Sequence, residues 1–260
     1  MRSRSPVTSL MARYPRSAQL LTVALFLLTW EIAARFFVDK MFLAPPSRVY
    51  GEIGRVIGTK GLPQALAITL YEVSVAFVAA VAIGMTIGLS VGLNAFARRC
   101  FMPIILLLYG IPQIVILPLF ILALGIGPPS KIAFGVTHGV FPIILAIVAG
   151  VQNQKPVLLT SARSMGASRW HILRYVVLPH MLPSFFSGLR LGMTGVLLGV
   201  LLAELYVSTA GIGYFTGVFT QNFDPTRLLG LISILAAMAI LLNEFMRVVE
   251  RRFSRWRGND

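Results

Sequence analysis

Long apolar runs alternate with short polar or basic segments along the chain. A helix needs about 20 apolar residues to cross a hydrocarbon core. Runs of that kind fall at roughly 18–38, 65–93, 101–125, 131–150, 188–208 and 228–247. The pattern predicts an all-α integral membrane protein with about six transmembrane helices in a single transmembrane domain over 1–260. The first run, about Leu20 to Phe37, is too long for a signal-peptide core and no small-residue cleavage site follows, so it reads as a retained span.

The polar segments carry patterns of their own. In 39–64, Ala44-Pro45-Pro46-Ser47 opens a stretch with Val49, Ile53, Val56 and Ile57, which predicts a short amphipathic helix on the membrane surface. The 126–130 and 209–227 segments read as connections. The 151–187 segment is the most patterned. Pro156 suits a first helical turn, Gly166 breaks the helix, and Ser168 suits the cap of a second one. Ile172, Leu173, Val176 and Val177 give that second helix an apolar face, and Pro179 and Pro183 are expected to end it. Two short helices angled about Gly166 make either a compact knob for a partner or an ordinary amphipathic surface helix.

Composition agrees with the membrane reading: 57% of the 260 residues are hydrophobic and 12% charged, against about 25% charged in soluble domains. The formal charge of +14 is concentrated beside apolar runs, at Arg2, Arg4, Arg13 and Arg16, at Arg98 and Arg99, at Lys155, Arg163, Arg169 and Arg174, and at Arg247, Arg251, Arg252, Arg255 and Arg257. The positive-inside rule produces that distribution, and a nucleic-acid groove would need a folded soluble surface. The bias puts both termini, the Arg98-Arg99 turn and 151–187 in the cytoplasm, and 39–64, 126–130 and 209–227 outside. Lys40, Arg48, Arg55, Lys60 and Arg227 on the outer side blunt it. Cys100 is the single cysteine, so no internal disulfide forms, and it is expected on the cytoplasmic side.

Polar residues within the spans are the candidates for function. Pro112 and Pro118 fall within the third span, as a hinge or as a static kink. Tyr109 and Gln113 flank Pro112, at a depth where they either meet substrate or bond a neighbouring helix. Glu204 lies toward the outer end of the fifth span, where a carboxylate must face the bundle interior or a wet cavity. It either lines a pathway or its outer gate, or makes a structural hydrogen bond to a neighbouring helix or to 209–215. Glu31 and Glu72 follow the same logic. Gly84, Gly88 and Gly92, with Gly188/Gly192 and Gly195/Gly199, form ridges for close helix contact, within the chain or with a second copy. His138, His171 and His180 have no metal-ligand spacing; His138, inside a span, is packing or pathway lining. No phosphate-binding Gly-rich loop is present.

The stretch Thr160 to Pro179 resembles the coupling loop of type I ATP-binding-cassette (ABC) importer permeases, the inner-membrane components of binding-protein-dependent transport systems. Ala162, Gly166, Val176, Leu178 and Pro179 fall on the loop's spacing; Thr160 and Ser161 stand where the family has Glu and Ala. Further matches point to the nitrate/sulfonate/taurine/bicarbonate-like subfamily: Trp30-Glu31, Pro45-Pro46-Ser47, Ile111-Pro112, Leu117-Pro118-Leu119-Phe120, Gly125-Ile126-Gly127, Ser130-Lys131, Ala203-Glu204, Gly211-Ile212-Gly213, and Glu250-Arg251 with Trp256. Together they cover about residues 25 to 256. Glu72 departs from the pattern, standing where an Arg is expected after Thr69-Leu70.

The resemblance implies a multi-pass permease of the bacterial inner membrane, a homodimer in the lipid bilayer. It implies an ATPase subunit on the cytoplasmic side and a substrate-binding protein outside. Thr160, Ser161, Ala162, Arg163, Gly166, Leu178 and Pro179 would contact the ATPase. Tyr109, Gln113, His138 and Glu204 are the candidate pathway residues. ATP and Mg would belong to the partner ATPase, with no cofactor, metal site or catalytic residue in this chain. The subfamily's cargo includes small organic or inorganic anions and pyrimidine-type precursors. The alternatives are a channel, which would need a filter-like loop, or a membrane enzyme, which would need clustered acids or histidines; the nine acidic residues are scattered.

Overall fold

A computed structural model describes residues 15–39, 41–206 and 209–254. Arg2, Arg4, Arg13, Lys40, Arg255, Trp256, Arg257 and the 207–208 end of the fifth expected span lie outside them. Every regular element among the described residues is helical: α1 (Pro15–Phe36), α2 (Pro46–Ile57), α3 (Leu62–Leu93), α4 (Ala95–Gly110), α5 (Leu117–Leu124), α6 (Pro128–Gln152), α7 (Pro156–Ser164), α8 (Arg169–Ile172), α9 (Leu178–Tyr206), α10 (Ile212–Gln221) and α11 (Pro225–Ser254). Five helical stretches are long and apolar enough to cross a membrane, and six if the bent pair α4–α5 counts as one span.

The chain divides into two compact units. The first comprises 1–60 and 216–234. In it, Glu31 of α1 receives the Ser47 amide at 3.0 Å, the Ser47 hydroxyl at 2.7 Å and Arg35 Nε at 2.6 Å. Pro45 and Pro46 cannot donate, so the carboxylate serves the first free amide of α2. This ties the Trp30-Glu31 and Pro45-Pro46-Ser47 elements to one contact. The expected amphipathic helix is present as α2, with Val49 and Val56 buried.

The second unit, 61–215 and 235–260, is built on α3, α6 and α9. Small residues let these helices approach closely, since hydrocarbon gives no hydrophobic drive for helices to associate. A Cβ on Gly84, Gly88 or Gly92 would fall 2.8, 2.9 or 3.2 Å from Ile143, Ile147 or Val151, so α3 and α6 run parallel. Gly188, Gly192 and Gly199 meet Ala146, Ile143 and Gly135, so α9 runs antiparallel to α6. The glycine ridges serve packing within the chain. Val73, Ala76, Ala80, Ile147, Val196 and Val200 fill the space between them.

Three sequence expectations need correction. The third span is broken, not merely kinked. α4 ends at Gly110, Ile111 is extended before Pro112, a 3-10 turn spans Gln113–Ile116, and α5 leaves at 85° with Pro118 in its first turn. A residue before proline avoids helical geometry and proline supplies no amide. Pro179 and Pro183 do not end the second loop helix, which continues into the fifth span as one stretch from Arg169 to Tyr206. A π turn over Leu173–Val177 absorbs Pro179: the Leu178 amide reaches back to Leu173 O, so the widened turn makes room for the ring. Finally, 209–227 contains the helix α10, whose Ile212, Phe215 and Phe219 recur at helical spacing.

Candidate functional site

One end of the second unit carries the loop between α6 and α9. Pro156 opens α7 and Ser164 closes it. The Gly166 amide donates to Arg163 O at 3.0 Å and the Ala167 amide to Ala162 O at 3.0 Å. This pair of bonds requires a left-handed residue between them. Gly166 supplies it, with φ +77° and no atom within 4 Å of a would-be Cβ. Ser168 then caps α8, its hydroxyl accepting from the His171 amide at 3.3 Å. The expected helix, glycine turn, cap and second helix are all present.

Around this turn Thr160, Ser161, Arg163, Gly166 and Pro179 are exposed, while Ala162 and Leu178 are half-buried. The Thr160 hydroxyl donates to Pro156 O at 3.1 Å. Val157, Met165 and Trp170 stand out at 73%, 87% and 62% exposure. Met165 and Trp170 flank the turn and Val157 lies in the first turn of α7, so this loop leaves apolar side chains exposed, as protein-contact surfaces do.

The opposite end of the same unit holds a buried polar cluster. Lys131 of α6 places Nζ 2.6 Å from Glu72 Oε1 and 3.9 Å from Glu204 Oε1, and donates to Ala210 O at 3.3 Å. The Thr69 hydroxyl donates to Glu204 Oε1 at 2.7 Å and accepts the Ile212 amide at 3.0 Å. The Gly213 amide donates to Glu204 Oε2 at 2.9 Å. Thr69, Glu72, Lys131 and Glu204 are all buried.

The Ala203-Glu204 and Gly211-Ile212-Gly213 elements therefore form one device: a carboxylate at the end of α9 that gathers the backbone of the turn following it. Gly211 has φ +101°, and a Cβ on Gly211 or Gly213 would run into Glu204.

Tyr109 packs on Phe141 with ring centroids 5.8 Å apart. Gln113 is half-buried at the broken span, with no hydrogen-bond partner for Oε1 among the described residues. His138 faces α9: its Nδ1 is 3.2 Å from Phe134 O, and a Cβ on Gly199 would lie 3.0 Å from its ring. No hydrogen bond among the described residues joins Tyr109, Gln113, His138 and Glu204 to one another. Lys131 and Thr69 were absent from the sequence-derived candidates. The available signal was electrostatic: Glu72, Lys131 and Glu204 lie in or at the edge of apolar runs, and ionisable groups there need partners. Glu72 now has its reason, as the ion-pair partner of Lys131.

Residues 53–256 match the family described as binding-protein-dependent transport system inner membrane component. The taurine transport system permease protein TauC of Escherichia coli (strain K12) is 32% identical over 256 residues, covering 95% of this chain and 93% of that one. The putative aliphatic sulfonates transport permease protein SsuC of Bacillus subtilis (strain 168) is 27% identical, covering 95% and 90%. The formylaminopyrimidine transport permease protein ThiX of Halalkalibacterium halodurans is also 27% identical, covering 93% and 98%. Among solved structures, an inward-facing MetNI methionine ABC transporter chain superposes with a TM-score of 0.61 at 20% identity, covering 72% of this chain and 94% of that one. A chain of an amino acid ABC transporter gives 0.64 at 18%, covering 77% and 97%; at such identities these likenesses concern the fold. The chain belongs to the family of binding-protein-dependent transport system inner membrane components, as a multi-pass ABC importer permease subunit of the inner membrane that works with a separate ATPase and a substrate-binding protein.

Proposed function

We propose that this permease carries a small sulfonate, of the taurine or alkanesulfonate kind, handed to it by a substrate-binding protein on the outer side. The similarity to a taurine permease along 95% of the chain carries this reading, supported by the sulfonate relative. Two copies enclose the pathway, in the lipid bilayer, because one chain of these helices offers only one wall. Tyr109, Gln113 and His138 line it, and Glu204 braces its outer rim.

In this reading the Gly166 knob lies in the cytoplasm with both termini and Cys100. Thr160, Ser161, Ala162, Arg163 and Gly166 enter a groove on the ATPase, with Leu178 and Pro179 at the root of the knob. Met165 and Trp170 add apolar contact. Thr160 replaces an acidic side chain, so docking rests on shape and apolar area and not on a carboxylate. ATP and Mg act on the partner. Uptake of radiolabelled taurine and butanesulfonate, measured in cells expressing this chain with its ATPase and binding protein, tests the cargo. Competition by unlabelled taurine but not by nitrate or a formylaminopyrimidine is the expected result. Uptake of the pyrimidine without any sulfonate uptake would overturn the cargo assignment while leaving the importer standing.

A further inference from the structure

The cluster beneath the Gly211–Gly213 turn has an unbalanced charge if every group ionises. Two carboxylates, Glu72 and Glu204, face one ammonium, Lys131, which leaves one net negative charge among side chains that are 0%, 0% and 5% exposed. Further contacts come from the Thr69 hydroxyl and from backbone, and among the described residues no further charged side chain pairs with the cluster. An isolated buried charge is costly, and two carboxylates sharing one site resist joint ionisation.

The hydrogen-bond count points the same way. Each Glu204 oxygen accepts a hydrogen bond, from Thr69 or from the Gly213 amide. Both Glu72 oxygens are buried and neither accepts a hydrogen bond among the described residues, although Oε1 lies 2.6 Å from Lys131 Nζ. Lys131 Nζ lies within 4 Å of an oxygen of each carboxyl group, so the two acids share one site. A single proton there would leave one negative charge for the one ammonium. A cavity of about 200 Å³ lies beside Glu72 and Lys131, walled by Ile68, Tyr71, Gly127 and Ala210.

We propose that Glu72, Lys131 and Glu204 form a proton-binding site, in which Glu72 is held as the neutral acid beside Lys131 and the ionised Glu204. Glu204, Lys131 and Glu72 then carry −1, +1 and 0, which sum to zero. The proton comes from water and returns there when it leaves; no other reactant is needed. The ionised Glu204 is the group that holds the Gly211–Gly213 turn, so occupancy of the site and seating of the turn are linked. The proposal stands on the cluster alone and does not depend on the cargo.

The test is infrared spectroscopy of the full-length permease with its ATPase in phospholipid nanodiscs at about pH 6, where ordinary carboxylates are ionised. Expected is a neutral carboxylic-acid C=O band, shifted in D₂O, that Glu72→Gln removes and Glu31→Gln leaves in place. Thermal unfolding supplies the second readout. A folded state that keeps one proton the unfolded state has lost becomes less stable as pH rises. The wild type should therefore lose about tenfold in its folded-to-unfolded ratio per pH unit relative to Glu72→Gln, from about pH 5, just above the ordinary Glu range, until the site empties. Glu72→Gln carries the shape of the neutral acid and should fold. A band that Glu72→Gln leaves unchanged, a wild type without that band, or a Glu72→Gln protein less stable than wild type at about pH 8 would each overturn the proposal.

Discussion

The Gly213 amide lies 2.9 Å from Glu204 Oε2, nine residues back in the chain. That bond, with Thr69 bridging Glu204 and the Ile212 amide, closes the end of α9 onto the start of α10. Glu204→Leu keeps the bulk but leaves the Gly213 amide and the Thr69 hydroxyl without their acceptor. Each buried unsatisfied group costs about 1–3 kcal/mol. Glu204→Gln can still accept from Gly213 and donate to Thr69. Thermal unfolding of the purified permease should rank wild type above Gln and Gln well above Leu; equal stability of Gln and Leu would contradict the hydrogen-bonded turn.

Gly211→Ala attacks the same turn from the backbone. Its φ of +101° disfavours any Cβ, and a Cβ there would overlap the Glu204 carboxylate. Strain of this kind costs about 1–3 kcal/mol before the clash is added. Gly217→Ala is the comparison, because its Cβ meets nothing within 4 Å on the same helix as the turn's end. Gly211→Ala should unfold at a clearly lower temperature, while Gly217→Ala should match or exceed the wild type through helix propensity.

The Lys131–Glu72 pair gives a cycle. Lys131→Met leaves the buried Glu204 charge without its ammonium and Glu72 without its neighbour, and breaking a buried pair costs about 3–5 kcal/mol. Removing Glu72 as well relieves part of that penalty, so Lys131→Met/Glu72→Met should be more stable than Lys131→Met alone. Additive losses in the double variant would mean that the two side chains do not interact.

Much of this architecture is legible in the apolar runs, because a spanning helix needs only length and hydrophobicity. The knob is legible for a different reason: Pro156, Gly166 and Ser168 each act locally, through a missing amide, a positive φ and a side-chain cap. The buried cluster is hidden because Thr69, Glu72, Lys131 and Glu204 come from three helices far apart in sequence, and no local rule pairs them. The continuation through Pro179 is hidden because the compensating π turn lies in Leu173–Val177, whose residue types give no sign of it. Helix α10 was missed because its ten residues are too short for a span and rich enough in Gly and Thr to pass for a loop.

Orientation has its own test. The Arg98 side chain donates to Gly92 O at 3.0 Å, which keeps the start of α4 at the end of α3 that also neighbours Val151 of α6. Exposed Cys100 thus shares an end of the bundle with the start of the knob. In intact cells, Cys100 and a cysteine placed at Ser161 in a Cys100→Ser background should both resist a membrane-impermeant maleimide and both react after lysis. Labelling of only one of them before lysis would contradict the shared end, and labelling of both would reverse the proposed orientation.

Gly166 is where geometry and partner binding separate most cleanly. Its φ of +77° comes with open space around the would-be Cβ, so a side chain there meets backbone strain and no packing clash. A Cβ in left-handed geometry costs about 1–2 kcal/mol, more for a β-branched residue. The chain relieves that strain by leaving the turn, which breaks the Ala167–Ala162 bond and re-aims α8 relative to α7. The packed faces of α3, α6 and α9 involve other residues and keep their contacts. Gly166→Val should therefore reach the membrane at near-normal abundance, yet lose copurification with the ATPase and lose uptake. Gly166→Asn should be mild, since Asn tolerates left-handed geometry. Gly51→Ala, in open space on a helix, is the control that should leave assembly intact. Stoichiometric ATPase and normal uptake in Gly166→Val would remove the turn from the coupling contact, because no docking surface keeps its fit when the two helices that form it change their angle.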